Sequence, residues 1–97
     1  MAFVQIIDFH TTDFAGLLSL EQEWEQATEG TRTARRSLVL RDRVDPHHYQ
    51  SVVFFDSYES AMENSTLPAT QAFAEKFATL VDGTAVFHDL DVVDDRS

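Results

Sequence analysis

Four short segments rich in Val, Ile and Phe or flanked by charge are interleaved with two stretches of helical periodicity, and that order leaves few ways to fold 97 residues. Phe3 to His10 is too short for a good helix and reads as a strand, with Phe3, Ile7 and Phe9 on one side and Val4 and Ile6 on the other. Thr11-Thr12-Asp13 supplies capping residues, after which Phe14, Leu17, Leu18, Trp24 and Ala27 recur near helical spacing and Gly30 is placed as terminator. Thr31 to Arg43 reads as a second strand around Leu38-Val39-Leu40, and Val44 to His48 as a turn, since Pro46 fixes φ. Tyr49 to Phe55 completes the hairpin. Asp56-Ser57-Tyr58-Glu59 has the form of a capping box opening a helix to about Asn64, and helix resumes at Pro68 with Phe73, Phe77, Leu80 and Val81 on one face and Gly83 at its end. Thr84 to Val93 is the last strand. A β-α-β-β-α-β order is α+β, and a four-stranded antiparallel sheet with its helices on one face buries it economically. Val4 and Ile6 then have no cover within the chain, so a second copy packing sheet on sheet, a homodimer, is expected.

No repeat, low-complexity tract or linker divides the chain, which predicts one domain over 1–97 with an ordered core of about 3–93. Seventeen acidic against seven basic residues give a net charge of −10, which repels phosphate backbones and anionic lipid; nucleic acid and membrane are not expected partners. Absence of cysteine removes disulfides and thiolate chemistry and suits a reducing, cytoplasmic setting. The first residues lack the basic region of a signal peptide, and no apolar run approaches a bilayer span. Neither G-x-G-x-x-G nor G-K-[ST] occurs, so no cofactor cradle is visible and no cofactor is expected. His47 and His48 adjoin the turn proline, where side chains diverge into solvent; with Asp45 they form no recognisable metal motif, and no metal is expected. Arg32, Arg35, Arg36, Arg41 and Arg43 all fall on the predicted second strand, where charge deters edge pairing or offers forks to carboxylates. The glutamates of the first helix read as a solvated face.

The element order, Gly30 before the second strand, the turn with Pro46 and Tyr49, and Phe54-Phe55-Asp56-Ser57-Tyr58-Glu59-Ser60-Ala61 resemble the dimeric α+β barrel superfamily, with antibiotic biosynthesis monooxygenase (ABM) domains as the most similar subgroup. The resemblance spans roughly Phe3 to Val93 and implies a ferredoxin-like fold, pairing of two sheets into a barrel, and a pocket between each sheet and its helices. Activities in the superfamily include cofactor-independent oxygenation of aromatic polyketides, cyclisation and haem degradation. Gln5 stands where haem-degrading relatives have Asn. Asn64 falls where relatives carry Trp or Tyr, and Thr70 where cyclases carry His. With no histidine between His48 and His88, that helix lacks a haem ligand or imidazole base, which argues against haem degradation and His-dependent cyclisation.

The resemblance therefore implies a cofactor-independent monooxygenase acting on an aromatic polyketide-like molecule, with a non-catalytic small-molecule-binding or accessory dimer as the alternative. Candidate polar pocket residues are Gln5, Asn64, Thr70 and His88, the last expected near His10 because their strands are neighbours. Trp24, Phe54, Met62, Phe73 and Phe77 are the candidate apolar lining for a flat aromatic ligand. Each also has a plain reading as core or as a satisfied buried polar group.

Overall fold

In the computed structural model, which describes residues 1–97, the chain runs β1 (Phe3–His10), α1 (Phe14–Ala27), β2 (Arg36–Arg41), β3 (His48–Phe55), α2 (Tyr58–Ser65), α3 (Pro68–Leu80) and β4 (Asp82–Asp91). The strands form one antiparallel sheet in the order β2-β3-β1-β4. Asp13 caps α1 by accepting from the Gly16 N–H at 2.9 Å. The cap of α2 lies one residue later than the predicted box: Ser57 accepts from the Ser60 N–H, because Asp56 is drawn into an ion pair with Arg35 at 2.6 Å. β2 is shorter than predicted and holds only Arg36 and Arg41 of the five arginines. Arg32 reaches the Glu25 carbonyl and lies over the Trp24 ring instead. Gly83 belongs to β4 rather than to a helix end. Its φ of +75° sits where the β1–β4 register slips, between the Asp8–Val86 and His10–Asp82 pairs.

Cross-sheet rows explain the interior. On the helix-covered face, one end row places Phe55 beside Phe3, and the row at the other end places Tyr49 beside Phe9. The first packs with Ala61 of α2; the second packs with Ile7, Leu17, Leu20 and Phe77. The two rows between hold Ser37, Val53 and Gln5, then Val39, Ser51 and Ile7. Small and polar side chains there cannot bridge the aromatic ends, so the core divides into two clusters with a hollow between them. Along α1 and its C-cap the inward stripe is Leu17, Leu20, Glu21, Trp24 and Thr28, at helical spacing; Leu18, predicted on that stripe, points to solvent.

The other sheet face has no covering helix. Its rows are Arg36-Phe54-Val4-Leu90, then Leu38-Val52-Ile6-His88, then Leu40-Gln50-Asp8-Val86. Leu40, Val86 and Leu90 are each about half exposed.

At one end of this face His48 does not diverge into solvent as a turn residue would. Its Nδ1 donates to Asp42 and its Nε2 to Asp8, each at 2.9 Å, and the His10 ring stacks on it at 4.7 Å. Two carboxylate acceptors require both ring nitrogens to carry protons, so the bonds from Asp42 and then Asp8 raise the His48 pKa above its ordinary 6.5. Asp42 is held down to about 2, first by His48 and then by the Val44 and Asp45 N–H groups. Asp8 is also lowered, chiefly by Gln50 and then His48. A raised histidine stabilises the fold below its unfolded pKa and loses that contribution as pH rises through the folded value. Lowered carboxylates stabilise above their ordinary 3.8 and lose that contribution as pH falls through their folded values. The stability difference between wild type and His48→Gln, from urea midpoints, is therefore expected to be largest near pH 5–6 and to shrink above the ordinary histidine pKa of 6.5. A pH-independent difference would show that the imidazolium is not formed.

Candidate functional site

The hollow between the aromatic clusters is a cavity of about 560 Å³, within the range of small-molecule sites. Its floor is the two middle sheet rows. Its roof is α3, where Ala74 and Ala78 leave room beside Phe73 and Phe77, and α1 closes one side with Trp24. Along β4 it is open: Phe87, on the wall, is 57% exposed.

The structure gathers six of the predicted side chains on this cavity: Gln5, Trp24, Asn64, Thr70, Phe73 and Phe77. Their hydrogen bonds fix which atoms are left for a ligand. Asn64 is buried and its Oδ1 accepts from the Thr33 backbone N–H at 3.2 Å, which sets the amide orientation and leaves Nδ2 without a partner in the chain. No buried side-chain polar atom is left unpaired, so that NH₂ is not sealed in the packing. Thr70 Oγ1 accepts from Trp24 Nε1 at 2.9 Å and keeps its own O–H to donate. Gln5 spends one N–H on Asp89 at 3.1 Å.

Three predicted residues lie elsewhere. Phe54 is on the uncovered sheet face beneath the Arg36 guanidinium; the Phe3–Phe55 and Val4–Phe54 register turns its neighbour Phe55 to the cavity instead. Met62 is exposed, because Ala61 and Asn64 define the inward face of α2. His88 pairs with Ile6 and so also faces away from the helices; it is far along the ladder from His10, whose partner on β4 is Asp82.

Glu21, expected on a solvated face with the other glutamates of α1, lines the cavity instead. It follows Leu17 by four residues and precedes Trp24 by three, a spacing that marks it as inward. Desolvation, followed by the like charge of Glu25, raises its pKa above the ordinary 4.5. No cation pairs with it, and Lys76 is engaged with Glu23 instead.

No family model and no curated protein matches the sequence. Solved structures do match. A mutant of SnoaB, a cofactor-independent oxygenase from Streptomyces nogalater, superposes with a TM-score of 0.82 over 97% of this chain and 95% of its own, at 13% identity. A candidate antibiotic biosynthesis monooxygenase from Caulobacter crescentus gives 0.81 over 96% and 91%, at 10% identity. A further candidate from Chloroflexus aurantiacus gives 0.77 over 100% and 98%, at 18% identity. At such identities what is shared is the backbone plan: the chain has the ferredoxin-like α+β fold of the antibiotic biosynthesis monooxygenase domains.

Proposed function

We propose that the protein binds a flat, largely apolar aromatic molecule in the cavity between sheet and helices and promotes its cofactor-independent monooxygenation. The observation that carries this reading is a cavity with aromatic ends whose polar wall presents unspent donors, Asn64 Nδ2 and the Thr70 hydroxyl. An enolate or phenolate is itself the reductant for O₂, so the protein's work is to hold the anion, exclude water and admit O₂. Apolar walls favour the last two, and fixed N–H and O–H donors stabilise charge on the bound oxygen atom. The fold shared with a cofactor-independent oxygenase supports the reaction class.

The uncovered sheet face is proposed to pair with that of a second copy, which would hide Leu40, Val86 and Leu90. No helix is long and apolar enough to cross a membrane, and the absence of cysteine supports a cytoplasmic setting.

Oxygen uptake by purified protein with a panel of anthrone-type phenols tests the reading. Acceleration over buffer that saturates with substrate is expected. Saturable binding with no acceleration across the panel would point to a non-catalytic binding dimer instead.

A further inference from the structure

We propose that Glu21 is the proton acceptor of this cavity, and that the molecule it serves enters uncharged, carrying an acidic C–H or phenolic O–H. The assignment rests on the oxygenase reading for the fate of the resulting anion, but the proton transfer itself does not require O₂.

Three observations meet at this residue. Glu21 is the single ionisable side chain on the cavity wall; apart from the Trp24 indole N–H, which is spent on Thr70, every other polar side chain there is an amide or hydroxyl, from β1, β2, β3, α2, α3 and β4 alike. It has no ion-pair partner to hold its negative charge in place, while Glu23, two residues on, pairs with Lys76 outside the cavity. It sits between apolar residues, which makes it a stronger base than a carboxylate in water. A lone carboxylate in such a space disfavours an anionic guest. A neutral acid is the guest it suits, because one proton moving from ligand to Glu21 keeps the total charge constant. The transfer shifts the negative charge to where Asn64 Nδ2 and the Thr70 hydroxyl can receive it.

For an anthrone-type methylene the steps balance. The Glu21 carboxylate takes one proton and leaves an enolate. The enolate passes one electron to O₂, and the two radicals join through a C–O bond to give a peroxide anion, which takes the proton back from Glu21. Glu21 then removes the second C–H proton, the O–O bond breaks, and the departing hydroxide leaves with that proton as water. The methylene has become a carbonyl, a four-electron oxidation matched by four-electron reduction of O₂, and Glu21 is restored.

The test separates proton transfer from oxygenation. Under argon in D₂O, hydrogen–deuterium exchange at the anthrone methylene is followed by NMR for wild type, Glu21→Gln and Glu25→Gln. Wild type is expected to accelerate exchange over buffer, and Glu21→Gln to be slower by about 10²–10⁴-fold at neutral pH. The Glu25→Gln change removes the like charge one turn away and is expected to move the ascending limb of the pH profile to lower pH without abolishing exchange. Because folding disfavours the charged form of Glu21, the neutral amide is expected to fold normally, and thermal melts check this. Equal exchange by wild type and Glu21→Gln, or none by wild type above buffer, overturns the assignment. Exchange that depends on Glu21 but is followed by no O₂ uptake in air leaves the assignment standing and removes the oxygenase reading.

Discussion

Replacing Phe9 by alanine is expected to cost about 3–5 kcal/mol of folding stability, the range for truncating a buried aromatic without collapse of the cavity left behind. Phe9 is 2% exposed. Its ring stacks on Tyr49 at 5.8 Å and meets Phe77 edge-on at 5.1 Å, and Tyr49 in turn stacks on Phe14 at 4.8 Å. Phe9 therefore joins the sheet to both α1 and α3 at one point. Domains of this size have total stabilities of roughly 5–15 kcal/mol, so the loss is a large share of the whole. Only 13 of the 97 residues are buried, which leaves little other core to absorb it. Urea unfolding followed by circular dichroism measures the effect. A loss under about 1 kcal/mol would mean that the aromatic cluster is not where the fold is held.

The second large effect concerns the uncovered sheet face. Val52 lies near the middle of that face, flanked by Ile6 on β1 and Leu38 on β2. If two copies pair there, Val52→Asp places an unpaired carboxylate at the centre of the contact. An uncompensated buried charge costs about 3–5 kcal/mol, which weakens association by roughly 10²–10⁴-fold. Sedimentation at micromolar concentration is expected to give twice the 11.0 kDa chain mass for wild type and the single chain mass for the variant. A folded wild-type monomer under those conditions would refute sheet-to-sheet pairing. The prediction is independent of the Phe9 result, since Val52 and Phe9 lie on opposite faces of the sheet.

Strand and helix order was legible because each segment carries its own period. Phe3, Ile7 and Phe9 alternate, and Phe73 and Phe77 repeat at one helical turn. Where the period is ambiguous, sequence does not decide which face a side chain takes. Phe54 and Phe55 are both large and apolar, so composition cannot say which faces the helices; the pairing of Phe3 with Phe55 decides it. Met62 is hydrophobic and sits on a helix, yet the inward positions of α2 went to Ala61 and Asn64, the small and polar residues its roof-edge position admits.

The cavity itself had a signal that single residues hide. Ser51 interrupts the apolar inward face of β3, Ser37 on β2 lies across from Val53, and Ala74 and Ala78 stand beside Phe73 and Phe77 on α3. Small residues facing one another across a sheet–helix layer mark missing volume. Glu21 reads as one of an alternating acidic set with Glu23 and Glu25, though its distance from Leu17 and Trp24 places it on the buried stripe. The bridge from His48 to Asp8 joins residues 40 positions apart and has no local pattern at all; only strand register brings them together.

Trp24 is the only tryptophan in the chain, and it stands on the cavity wall with its Nε1 tied to Thr70. Its fluorescence lifetime during titration with a flat phenol therefore reports occupancy of this space and no other. A saturable change is expected for wild type, and its loss when Ala74→Phe fills the roof while Trp24 remains the single tryptophan, with binding measured independently by dialysis. Binding that dialysis detects while the wild-type Trp24 lifetime stays constant would place the ligand elsewhere and contradict the account.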